Sequence, residues 1–193
     1  MTRRILIVNG HPDPRPERFC AALCNAYAAG ALEAAHEVRR LDVGALDFPL
    51  IRTAAEFEQG SPGPDIRAAQ KLIAWANHLV LAHPLWMGSS PALLKAFFEQ
   101  SFRYGFALGK PGDGVMRGLL AGRSARLVVT MGMPAPVYRF VFGAVGVRSE
   151  ETGILMMAGI GPVRRTLIGG LDAAGGPRAG DLEHMRRLGR QGV

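Results

Sequence analysis

Five short apolar runs, each separated from the next by a helical pattern, constrain this chain more than any other feature. They fall at residues 5–8 (ILIV), 38–41, 78–83 (HLVLAH), 126–130 (RLVVT) and 165–168. Runs this short and this apolar suit strands buried on both faces, and their alternation with helices predicts a parallel sheet covered on both sides. The helical patterns are equally readable. Phe19, Leu23 and Tyr27 share one face of a helix over 18–35. Asp65 is expected to cap a helix over 66–76, and Ser90 with Pro91 to open another, on which Leu93, Leu94, Phe97, Phe98 and Phe102 form a wide apolar face. Ser149 is expected to open a helix with Glu150 and Glu151 in its first turn and Gly161-Pro162 at its end. Asp181 is expected to cap a last one bearing Leu182, Met185 and Leu188. Residues 42–64 read as loops around one short helix, and residues 104–123, with six glycines, as a long loop with a task of its own.

With 193 residues and no repeats, the chain reads as one domain, residues 1–193, large enough to bury a core without disulfides or metal. Two cysteines exclude a disulfide scaffold and a four-cysteine zinc site; no metal is expected. Cys20 and Cys24 lie four apart on a helix, poorly placed to bridge, which fits a reducing cytoplasm. No eighteen-residue apolar stretch and no signal-peptide pattern occurs, so a cytoplasmic protein is expected. The net charge of +7 comes from 23 basic and 16 acidic residues, 20 of the basic ones arginine. They are scattered as singles and Arg-Arg pairs rather than gathered on one stripe with aromatics. That argues against nucleic acid and fits an anionic small ligand.

Parallel sheets bind ligands at the carboxyl ends of their strands, so the segments after strands one, three and four carry the functional reading. The first, residues 10–20, lacks the GxGxxG fingerprint but feeds a helix N-terminus, where free amides attract a phosphate. Arg18 stands there and could pair with it; a rigid polar turn with a surface arginine is the equal alternative. The second, Pro84-Leu85-Trp86-Met87-Gly88-Ser89, sets a tryptophan in a turn, offering a wall and backbone donors to a flat heteroaromatic ring. The third, Thr130-Met131-Gly132-Met133-Pro134 with Tyr138 beyond, combines close backbone approach with a hydroxyl able to meet developing negative charge.

These residues resemble the flavodoxin-like NAD(P)H:quinone oxidoreductases, with their bacterial relatives among modulators of drug activity and ancillary reductases of potassium-efflux systems. The carriers are ILIVNGHP, Arg18-Phe19-Cys20, HPLWMGSSPALLKAFFE over 83–99, Gly105-Phe106-Ala107, and VTMG followed by Tyr138. The resemblance implies an α/β flavodoxin-like three-layer sandwich, with a five-stranded parallel sheet of order 2-1-3-4-5. It implies that His11, Arg18, Phe19 and Cys20 surround a flavin phosphate and ribityl chain. Pro84, Leu85, Trp86, Met87 and Gly88 would lie along the isoalloxazine, and Thr130, Met131, Gly132 and Met133 would border its pyrimidine end. Tyr138 would hydrogen-bond there as the catalytic group, and Phe106 and Leu108 would meet substrate. The cofactor would be FMN or FAD, with FMN favoured, and NAD(P)H the co-substrate. Members are usually homodimers, with the 104–123 loop reaching the neighbour's pocket. Arg18 and Cys20 replace the family's usual Ser/Thr and Asn. Ala144 stands where some members pair a histidine with the tyrosine, and Leu108 where some carry tyrosine.

The function implied is hydride transfer from NAD(P)H through the flavin to a quinone or similar electron-poor aromatic, in a ping-pong cycle. The alternative is an accessory subunit that docks on a membrane transporter with little turnover of its own. A one-electron carrier fits poorly with a charge of +7, and a dinucleotide dehydrogenase fits poorly with the missing fingerprint.

Overall fold

The computed structural model describes residues 2–110, 117–171 and 178–193. Its centre is a five-stranded, all-parallel sheet: β1 (Arg4–Asn9), β2 (Glu37–Asp42), β3 (His78–Pro84), β4 (Ser124–Thr130) and β5 (Val163–Ile168). The spatial order is β2-β1-β3-β4-β5, the order and the fold expected. The inner strands β1, β3 and β4 are almost wholly buried. The outer strands are not: Glu37, Arg39 and Arg40 face outward on β2, as do Arg164 and Arg165 on β5. Charges at the two edges discourage pairing with another sheet.

Two helical layers cover the faces. Leu6, Val8, Leu79, Leu81, Leu127 and Val129 pack under α3 (Pro64–Trp75) and α4 (Ala92–Ser101), meeting Ile66, Ile73, Leu94 and Phe97. Ile5, Ile7, Val80, Ala82 and Val128 pack under α1 (Phe19–Glu33) and α7 (Ala179–Gln191), meeting Leu23, Tyr27, Met185 and Leu188. α1 and α7 approach closely enough that a Cβ on Gly30 would lie 1.9 Å from the Arg186 carbonyl oxygen, and one on Gly189 2.1 Å from that of Tyr27. Only glycine fits at either crossing.

Several helix starts differ from expectation. Helix α3 begins at Pro64 with Gly63 as N-cap; the Asp65 carboxylate instead accepts from the Asp47 N–H at 2.8 Å, tying the preceding loop down. Helix α4 has Pro91 at its N-cap and no side-chain cap, so Ser90 does not cap it. Helix α7 is preceded by Arg178, and Asp181 sits in its first turn, bonded to Arg178 at 2.6 Å. The short helix within 42–64 is α2 (Ala54–Gln59), capped by Thr53, alongside a single 3-10 turn at Val43–Ala45. The largest difference lies after β4. Residues read as a loop form α5 (Ala135–Phe140) and α6 (Val145–Glu150), and α6 runs on as a π-helical turn (Glu151–Met156). Ser149 is therefore inside a helix rather than at its start. The described part of the 104–123 loop is packed on its own chain: Ala107, Leu108 and Leu120 are buried, and the Leu120 N–H donates to the Ala158 carbonyl at 2.9 Å.

Candidate functional site

The strand order reverses direction between β1 and β3, and there the loops after these strands part, leaving the crevice that such sheets use for ligands. The loop after β1 is tied down residue by residue. Buried Asn9 donates to Asp42 at 2.9 Å and accepts from the His11 N–H at 3.2 Å. His11 Nδ1 accepts from the Asp13 N–H at 3.0 Å, which leaves Nε2 as the proton-bearing nitrogen. Burial, then the nearby Arg18, push the His11 imidazole below its ordinary pKa, so it is neutral at pH 7. Hydrogen bonds from Arg15 and then Arg18 hold the Asp13 carboxyl well below the usual carboxylate range. Arg18 Nε meets Asp13 at 2.6 Å, so the arginine expected to seek a phosphate is held by its own loop.

The helix that follows is left open. Arg18 occupies the N-cap of α1, no side chain caps it, and no acidic residue stands in its first turn. Its amides and dipole face the crevice edge unopposed, which is the chemistry of an anion site. Phe19 borders this end. Cys20 is buried, its Sγ 3.6 Å from Thr130 Oγ1, so it links the first turn of α1 to the end of β4. Burial raises its thiol pKa to about 11.

The loop after β3 is a tight hairpin. Trp86 and Ser89 exchange both backbone hydrogen bonds, at 2.9 and 3.0 Å, around Met87 and Gly88, both at positive φ (49° and 80°). Two left-handed central residues define the turn type in which the backbone folds back most sharply. Trp86 is 49% exposed and Met87 fully so, an apolar pair held out into solvent. The His11 and Trp86 rings meet edge to face at 5.9 Å, bringing the loops after β1 and β3 together over the switch point. The Leu85 and Trp86 amides are used internally, by the Thr130 and Ser89 carbonyls; those of Met87 and Gly88 have no partner among the described residues.

Helices α5 and α6 hold this hairpin in place. Tyr138 is buried; its hydroxyl donates to the Gly88 carbonyl at 2.9 Å and accepts from the Val147 N–H at 3.4 Å. A Cβ on Gly146 would lie 2.2 Å from the same carbonyl oxygen. The role expected of Tyr138, a donor to bound ligand, is thus not the one its hydrogen bonds express: it fastens the Trp86 turn. Met131 is buried and its amide donates to Ile168; Gly132 and Met133 are open at the crevice rim. Ala144 is buried at φ 48°, and a histidine's polar ring would not fit there without a partner.

Beyond Trp86 lies a cavity of about 460 Å3, lined in part by Trp86, Met87, Lys95, Ser149, Glu150 and Ile154. Lys95, Ser149 and Ile154 also line a second cavity of about 180 Å3, which Leu108 reaches together with Phe98 and Phe102. Leu108 is therefore core-packed yet borders this groove, whereas Phe106 is half-buried and lines neither cavity.

Residue patterns did not disclose the buried pair beneath the hairpin. His83 Nε2 lies 2.9 Å from Glu150 Oε2, both side chains almost wholly buried. His83 Nδ1 is 3.0 Å from the Pro84 carbonyl, which can only accept, so Nδ1 carries a proton and a further proton is shared between Nε2 and the carboxylate. Glu150 Oε1 has no partner among the described residues, although Glu150 lines the Trp86 cavity. The two residues stand 67 apart in sequence, and no local pattern links them.

The family described by a flavodoxin-like fold matches residues 3–190. A ribosyldihydronicotinamide dehydrogenase-like protein, traD of Penicillium crustosum, is 28% identical over 155 residues, 67% of this chain and 57% of that protein. The glutathione-regulated potassium-efflux system ancillary protein KefG of Serratia proteamaculans is 39% identical over 75 residues, 39% of this chain and 38% of its own. The chain thus matches little more than half the length of the first relative and under two-fifths of the second. Among solved structures, the NAD(P)H:quinone oxidoreductase from Methanothermobacter marburgensis superposes over 100% of both chains with a TM-score of 0.79 at 22% identity, a shared fold.

Proposed function

The chain belongs to the flavodoxin-like fold family, and from that premise we propose that it is a flavin-dependent NAD(P)H oxidoreductase acting on quinones or similar electron-poor aromatics. One observation carries this reading. An uncapped helix N-terminus and an exposed Trp86-Met87 turn meet across the β1/β3 switch point, the one suited to a phosphate and the other to a flat ring.

The residues present fit a flavin. The first-turn amides of α1 and neutral His11 would hold its phosphate, with Phe19 and Cys20 beside the ribityl chain, and Arg18 would turn from Asp13 to share it. Pro84, Leu85 and Trp86 would border the ring, the unpaired Met87 and Gly88 amides would donate to its edge, and residues 130–133 would close the other end. FMN is favoured over FAD. When bound, the flavin supplies the hydride relay, taking a hydride from NAD(P)H and giving it to the acceptor in a ping-pong cycle. The groove from Trp86 to Leu108 would hold the acceptor with water excluded. Tyr138 would act as a positioning residue, and Glu150, with the proton it shares with His83, would supply that proton where acceptor oxygen gains charge.

A homodimer is also proposed. Phe140, Val141, Phe142 and Val145 are exposed together on the segment just past Tyr138, an apolar surface that a second copy would cover. The second reading, an accessory subunit of a membrane transporter, is supported by the similarity to KefG and would use the same surface.

The test is the visible spectrum of the purified protein, with chromatography of the flavin released by heat, followed by quinone-dependent NAD(P)H oxidation. Stoichiometric FMN and turnover support the proposal. No flavin, before or after addition, overturns the enzyme reading in favour of the accessory one.

A further inference from the structure

The cavity of about 180 Å3 beside the Trp86 cavity has a lining of a different kind. Phe57, Phe98, Phe102, Leu108, Ile154 and Met157 supply most of it. Its two charged residues, Lys95 and Glu99, form an ion pair with each other. Their charges are spent, so what this cavity takes is uncharged and apolar. Lys95, Ser149 and Ile154 line both cavities, which makes one groove with a wide end at Trp86 and a narrow apolar end at Leu108. A ligand whose ring lies against Trp86 would meet the narrow end with whatever that ring carries.

The walls of the narrow end are unequal. The Phe98 and Phe102 rings, both buried, pack edge to face at 5.4 Å and make a fixed floor. Phe57 comes from α2, a helix of six residues of which none is buried. The C-terminal end of α2 is gripped by the buried Arg103 guanidinium, which donates to the Glu56, Phe57 and Gly60 carbonyls, the last at 2.9 Å. The Phe57 ring meets Tyr104 edge to face at 5.7 Å. An element with so little buried apolar contact belongs to the low-stability part of a fold and yields to an entering group. Met157, 42% exposed at the rim, is an unbranched side chain that adapts to varied shapes.

We propose that the narrow cavity receives an apolar substituent of the acceptor, so that alkyl- or prenyl-substituted quinones are the preferred class and Phe57 limits the length of chain admitted. The quinone ring in this proposal rests on the oxidoreductase reading; the apolar substituent rests on the cavity itself. A dry cavity of about 150 Å3 holds one benzene ring, so one of about 180 Å3 takes a single butyl- or prenyl-sized group. Covering that apolar surface is the driving force for the selection.

Calorimetric titration of the purified protein with hydroquinone, tert-butylhydroquinone and octylhydroquinone tests it, with flavin content read from the visible spectrum of the same sample. The tert-butyl compound is expected to bind at least tenfold more tightly than hydroquinone. Met157→Glu sets a charge in the cavity and removes that advantage, whereas Met156→Glu, one residue away and lining neither cavity, keeps it. Phe57→Ala shifts the preference from the tert-butyl to the octyl compound. No alkyl advantage in the parent, or equal loss in the two methionine variants, overturns the subsite. An advantage that persists in protein carrying no flavin sustains the subsite while the oxidoreductase reading falls. Flavin bound and quinone turned over with no alkyl advantage overturns the subsite alone.

Discussion

Tyr138 shows how one hydroxyl can matter without touching the reaction. Its bond to the Gly88 carbonyl fixes the Trp86 turn, so Tyr138→Phe is expected to cost about 1 kcal/mol of stability and to weaken flavin affinity severalfold. Turnover of the fully loaded variant should stay near that of the parent. A kcat that collapses while affinity holds would return Tyr138 to the role of direct donor. His78 makes a prediction about acid. Its pKa falls from an ordinary 6.5 to about 3 on folding, through burial and then the nearby Arg3 and Arg126. Below pH 6.5 the unfolded chain takes up a proton that the folded one refuses, so stability falls as pH drops through that window. Between pH 6 and 4.5 the protein should lose roughly 2 kcal/mol more than His78→Gln, read from denaturant melts at each pH. Equal slopes would mean that His78 is charged in the fold. At this scale His11 and Trp86 were legible as neighbours, because each stands just past the end of a strand, whereas Cys20 was placed beside them by the family resemblance alone. It was silent on the His83–Glu150 pair and on the buried His78 nitrogen. Those depend on residues brought together from distant strands and helices.

Elements were legible where packing and periodicity agree. All five strands follow from apolar runs alternating with helices, their order from the family resemblance, and α1, α3, α4 and α7 from one-sided apolar faces. Helices α5 and α6 were hidden because Val137, Phe140, Val141, Phe142 and Val145 point outward, so burial imposes no period on them. Caps failed as signals for a related reason: Asp65 and Asp181 spend their carboxylates on Asp47 and Arg178 rather than on a helix end. The α1–α7 crossing yields a prediction that propensity alone would reverse. Gly30→Ala should destabilise by about 1–3 kcal/mol, since the added methyl meets the Arg186 carbonyl. Gly180→Ala, with open space around it, should stabilise by about 0.5 kcal/mol. Thermal melts of the two variants moving in the same direction would show that the helices separate freely.

For the whole molecule, the apolar surface past Tyr138 sets the expected state in solution. Phe140 is 76% exposed and Val141 74%, so Phe140→Asp should convert a species of twice the 20.7 kDa chain mass to one of a single chain in light scattering. If parent and variant are both monomeric, that surface meets another partner. The α1–α7 contact has a consequence of another kind. One face of the sheet, with Ile5, Ile7, Val80 and Val128, is roofed by a helix from near the start of the sequence and another from near its end. On the ribosome the first half of that roof and the strands β1 and β3 beneath it are synthesised long before the second half. The nascent chain must therefore carry an unsealed, strongly apolar flank until α7 follows, and that helix acts as the clasp that ends its exposure to chaperones.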